Sequence, residues 1–77
     1  MEIDDFINKV LQINNAREQF QTDVYITSKY YEVVIKRLYI TDIKRVNNQI
    51  IITINNKRIQ KLMIMDDMTY GLRTDTF

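Results

Sequence analysis

The 77-residue chain has no Cys, His, Trp or Pro, and Gly71 and Ser28 are its only glycine and serine. Each absence removes a class of chemistry. Without Cys or His there is no disulfide framework, no Cys/His zinc site, no thiolate nucleophile and no Ser-His or Cys-His couple. A single glycine cannot build a Walker loop or a dinucleotide fingerprint, which need several glycines to bring backbone close to phosphate. No cofactor motif is present, and catalysis is not expected. The apolar runs, such as Val33–Ile35 and Ile50–Ile52, fall far short of the roughly 18 residues of a spanning helix. The acidic start, MEIDDFINKVL, lacks the basic region and apolar run of a secretory signal. No membrane partner is expected. Absence of Cys fits a reducing compartment, and the expected location is the cytoplasm of a bacterial cell or phage-infected host.

Hydrophobic residues make up 45% of the chain and charged residues 27%, the balance of one small globular domain and too apolar for a disordered one. A chain this short buries only about 60% of its unfolded surface, so its core yields about 3–5 kcal/mol. A good apolar core, self-association or docking on a partner must supply stability. Phe, Tyr, Met, Ile, Asn and Lys account for about half of the residues. These use AT-rich codons, which points to an AT-rich genome such as that of a low-GC bacterium, a phage or another mobile element.

Along the chain, Ile3, Phe6, Ile7, Val10, Leu11 and Ile13 fall on one side of a helical wheel, with Asp4 and Asp5 in the first turn where the macrodipole favours acids. This predicts an amphipathic helix continuing to about residue 20. The alternation of Val24 and Ile26 with Tyr25 and Thr27 predicts a short strand at 23–27. From Ser28 to Tyr39 the rows Tyr30, Val34, Leu38 and Tyr31, Ile35, Tyr39 predict a second helix capped by Ser28, against the β-branched content of the segment. Asn47-Asn48 and Asn55-Asn56 separate strand-like runs, and Asn tolerates the positive φ of tight hairpins. Thr41–Val46, Gln49–Ile54 and Lys57–Met65 are thus expected as a three-stranded antiparallel meander. With two-residue turns, Ile43, Ile52 and Ile59 align on one face, while Ile51, Val46, Leu62 and Ile64 point to the other, which is therefore also partly apolar and needs a cover. Residues 66–77 show no periodicity and read as an irregular C-terminal tail. The expected fold class is α+β, a single domain over 1–65 followed by the tail 66–77.

Charge is ordered along the chain. Residues 1–28 carry a net −3, residues 29–61 a net +6 and residues 62–77 a net −2. The basic segment supplies Lys29, Lys36, Arg37, Lys44, Arg45, Lys57, Arg58 and Lys61, a candidate nucleic-acid-binding set interleaved with tyrosines. Two-residue turns would divide it, with Arg45, Lys57 and Lys61 on one sheet face and Lys44 and Arg58 on the other. Met63, Met65, Met68, Tyr70 and Leu72 form a second candidate set, for protein binding, because Met adapts to irregular surfaces and Tyr joins apolar area to a polar handle. Asp42-Ile-Lys44 with Asp23 upstream has the spacing used by some metal-dependent nucleases, a short pattern that charged chains reach by chance. The favoured expectation is a non-catalytic interaction protein, an inhibitor or adaptor of phage or mobile-element type, with a protein partner or a second copy of the chain. A nucleic-acid-binding regulator is the alternative, and an Asp/Lys nuclease the remote one.

Overall fold

In the computed structural model, residues 2–15, 22–36 and 40–74 are described. The apolar stripe at the N-terminus forms α1, Ile3–Asn15. Phe6, Ile7 and Val10 are buried, with Ile3, Leu11 and Ile13 packed against them. Asp4 and Asp5 occupy the first turn, where the exposed N–H groups favour negative charge. The expected continuation of this helix to residue 20 lies outside the described residues.

The expected α+β architecture does not form. The described chain is mostly β, with one helix and six strands in two three-stranded antiparallel sheets. One sheet runs β2–β1–β6, from Glu32–Ile35, Thr22–Thr27 and Thr69–Thr74. The other runs β3–β4–β5, from Ile40–Val46, Gln49–Ile54 and Arg58–Met63. The inward faces of both sheets and the apolar stripe of α1 meet in a single core.

Two segments overturn the sequence reading. The second helix is replaced by β2, and Val33-Val34-Ile35 gives the reason. Branched side chains lose χ1 freedom against a helical turn but pack well on a pleated surface. Val33 and Ile35 pair with Ile26 and Val24 of β1 on the inward face, and Val34 points outward. Ser28 still accepts a local hydrogen bond, from the Tyr30 N–H at 3.0 Å. Its own N–H donates to the Tyr31 carbonyl at 2.8 Å, however, closing a tight turn that leads into a strand. The helical row to Leu38 and Tyr39 falls outside the described residues. The expected irregular tail is the second correction. Residues 69–74 form β6 and pair with the whole of β1, from Thr22↔Thr74 to Thr27↔Thr69. Tyr70 packs on Phe6 with ring centroids 4.7 Å apart at 47°, so β6 helps to seat α1.

The third correction is one of register. The β3–β4 connection is the expected two-residue turn, Val46↔Gln49, with Asn47 at φ 54°. After β4, Asn55 and Asn56 take φ of 53° and 59°, and the Lys57 N–H closes the turn on the Ile54 carbonyl at 3.1 Å. Pairing then resumes at Ile54↔Arg58, not at Ile54↔Lys57. Because side chains alternate strictly, one surplus residue inverts the whole of β5. Leu62 is buried opposite Ile50, Gln60 faces inward opposite Ile52, and Ile59 is turned out to solvent. The Gln60 Oε1 is buried with no hydrogen-bond partner among the described residues, a local cost of the register that secures Leu62.

A bulge on β3 completes the inward face. Ile40 pairs with Ile54 and Asp42 with Thr53, leaving Thr41 unmatched. The extra residue lets Ile40 and Ile43, three apart, both reach the core. The Thr41 hydroxyl donates to the Thr53 carbonyl at 3.2 Å and accepts from the Asn56 N–H at 3.1 Å. The bulge thereby braces the β4–β5 turn.

Candidate interaction surface

The observed register defines the outward face of β3–β4–β5. Three rows cross it: Val46, Gln49 and Met63; Lys44, Ile51 and Lys61; Asp42, Thr53 and Ile59. Val46 is 41% exposed, Met63 51% and Ile59 57%, so the apolar side chains of both edge strands stand open. Ile51 is half-buried at the centre between two exposed lysines. Neighbouring strands lie about 4.8 Å apart, which sets Lys44 and Lys61 on strands about 10 Å apart with Ile51 between them.

The residues singled out for protein binding are spread over different environments. Met63 lies on this face. Met68, Tyr70 and Leu72 are partly buried and cover the core from the β6 side. Met65 lines a cleft of about 250 Å³ that Arg45 shares with Glu2, Asp4 and Asp66. Val46, which strand alternation already places on the outward face, and Ile59 lie outside that set. The signal for Ile59 is Lys57, which belongs to the loop and not to the strand that a two-residue turn implies.

The basic residues are likewise divided. Lys44 and Lys61 share the outward face and Lys57 sits in the turn at its end. Arg45 and Arg58 belong to the inward-facing rows, opposite Ile50 and Ile54. The expected grouping of Arg45 and Lys57 with Lys61, and of Arg58 with Lys44, fails for the same one-residue reason. Lys29 and Lys36 lie at the other sheet; the Lys29 backbone N–H donates to Asp67 Oδ2 at 2.6 Å. Arg37 lies outside the described residues. Asp23 is on β1 and Asp42 and Lys44 are on β3, so the nuclease-like pattern is divided between two sheets. Among the described residues no group of three or more acidic side chains is placed to hold a metal ion.

The outward face of β2–β1–β6 is built differently. Its central row is Val34, Tyr25 and Gly71. The Tyr25 ring lies over Gly71, where an added Cβ would stand 2.6 Å from Tyr25 Cζ. The one glycine therefore serves no turn and needs no positive φ; it makes room for an aromatic ring on the neighbouring strand. A groove of about 600 Å³ runs along this face, with Asp23, Lys36 and Arg73 at one end and Glu32 at the other. Sequence reading missed this pair, although a glycine inside a Tyr-x-Leu alternation is the mark of a close approach.

The two sheets are tied beside the β3–β5 face. The Tyr31 hydroxyl donates to the Met63 carbonyl at 2.7 Å. Burial pushes this hydroxyl above its ordinary pKa of 10.0, the nearby Asp67 charge adds to the rise, and a Ser28 hydrogen bond partly offsets it. No helix among the described residues is long and apolar enough to cross a membrane. Comparison of the chain with protein-family models, with characterised proteins and with solved structures finds no match.

Proposed function

We propose that this chain is a non-catalytic protein-interaction module that binds through the outward face of β3–β4–β5. We place it in the cytoplasm of a bacterial cell or phage-infected host, as a modulator of a host protein or a part of an assembly. One observation carries the reading. Val46, Ile59 and Met63 are all more than two-fifths exposed on one side of a single sheet, where solvated strands ordinarily carry polar side chains. Holding apolar side chains open on a rigid surface is the signature of a contact site. The test is affinity capture from a lysate treated with nuclease, using the parent chain and the Ile59→Lys and Met63→Lys variants. A retained protein partner that both variants lose, with thermal unfolding unchanged, supports the module. Loss of all partners on nuclease treatment, or equal capture by the variants, refutes it.

The second reading is a nucleic-acid-binding regulator, and Lys44, Lys61 and Lys57 on and beside one face favour it. Three phosphate contacts would give log K against log salt a slope of about −3 on duplex DNA. A shift assay on random DNA at low salt decides; no retention ends this reading.

A further inference from the structure

We propose that the partner element taken by the β3–β5 face is an amphipathic α-helix with acidic flanks, laid along β4; this rests on the reading of that face as protein-binding. The argument begins with width. A helix with its side chains is about 10–12 Å across, close to the span between the strands that carry Lys44 and Lys61. A helix above Ile51 would set its apolar stripe on the midline and reach Val46 and Met63 at one end and Ile59 at the other. Both lysines then lie under its flanks, where glutamates or aspartates satisfy them in a partly dry contact.

The charge pattern also disfavours the competing occupants. In a two-fold dimer centred on Ile51, the Lys44–Ile51–Lys61 row of one copy meets the same row of the other, placing like charges together at the centre. A nucleic acid would meet the lysines but leave Val46, Ile59 and Met63 against phosphate and sugar. An extended strand covers one row of side chains, whereas the apolar positions here are split between two edge strands. Only an element as wide as a helix satisfies both the lysines and the aliphatic corners at once.

The experiment uses the full chain, isotope-labelled for NMR, and two synthetic helical peptides. Both carry a leucine stripe; one is flanked by glutamates, the other by lysines. The glutamate-flanked peptide should bind and shift the resonances of Lys44, Ile51, Lys61 and Met63. The Lys44→Glu/Lys61→Glu variant should lose that binding by about tenfold or more and gain the lysine-flanked peptide instead. These lysines are exposed, so circular dichroism of the variant should match the parent. Equal binding of both peptides, shifts centred on another face, or no binding of either overturns the proposal. So does a concentration-dependent dimer abolished by Ile59→Lys, which would assign the face to a second copy. So does an oligothymidine that gives the same shifts more tightly than the peptide, which would assign it to a polyanion. If both peptides fail while nuclease-resistant capture still depends on Ile59, the helical partner is wrong and the interaction module stands.

Discussion

The β3–β4–β5 sheet is assembled from chain neighbours joined by turns of two and three residues, whereas β2–β1–β6 takes its third strand from far along the chain, Thr27 meeting Thr69 across 42 positions. Their outward faces differ as well. The first is aliphatic with paired lysines, and the second carries a tyrosine laid over a glycine. The lesson is that local turn chemistry and long-range closure are separate instructions. The first resides in Asn pairs and the second in the inward residues of β1 and β6, with one small residue where two strands crowd.

The largest expected effect concerns the register of the local sheet. Leu62→Ala should cost about 3 kcal/mol, within the usual 2–5 kcal/mol for a buried aliphatic. Ile59→Ala should stay within about 0.5 kcal/mol, as solvent-exposed substitutions do. Urea unfolding of the two variants checks this; the reverse order would restore the two-residue turn and break the contrast between the sheets. On the long-range sheet, Gly71→Ala should cost about 1–1.5 kcal/mol by forcing the outer end of the Tyr25 ring off its preferred rotamer. A Tyr25→Ser background should remove most of that cost, a coupling that a double-mutant cycle measures. Additive losses would mean that the ring does not rest on the glycine.

A smaller effect lies at Gln60. Its buried oxygen has no partner among the described residues, so Gln60→Leu should stabilise the chain by about 1 kcal/mol. A loss on thermal unfolding would place residue 60 outward and reopen the register. The smallest effect tests the tie between the sheets. Tyr31 holds its proton more tightly folded than unfolded. Its contribution is therefore complete below the ordinary value of 10.0 and declines as pH rises through the raised folded value. Tyr31→Phe should flatten that alkaline decline, as unfolding followed from pH 8 to 11 would reveal; an unchanged slope would show that other groups govern it.

How much of this was legible follows the same division. The stripe from Ile3 to Ile13 located α1, the alternation around Ile26 located β1, and the Asn pairs bracketed β3, β4 and β5. Segment boundaries did not determine facing, because a single loop residue, Lys57, decides whether Ile59 or Leu62 is buried. The helical rows of 28–39 and the strand pattern of Val33–Ile35 compete within one segment, and pairing with Val24 and Ile26 decides for the strand. The local sign of β6 in 69–74 is only the short alternation of Tyr70 and Leu72, and the Gly between them weakens strand propensity; the reason for that Gly lies in Tyr25, on a strand remote in sequence. The interaction surface was legible only in part. Met63 was visible by type and Val46 and Ile51 by alternation, while the pairing of Lys44 with Lys61 across Ile51 depends on the corrected register.

The distant pairing of β6 also has a kinetic meaning. Contacts that close long loops form late, because the entropy of closure must be met before any pairing energy returns. Until β6 pairs, β1 has only β2 beside it, with one edge unfilled and Val24 and Ile26 incompletely covered. Any chain that offers a β6 can fill that edge. At high protein concentration during refolding, two copies should exchange these strands, each completing the other's sheet before its own strand arrives.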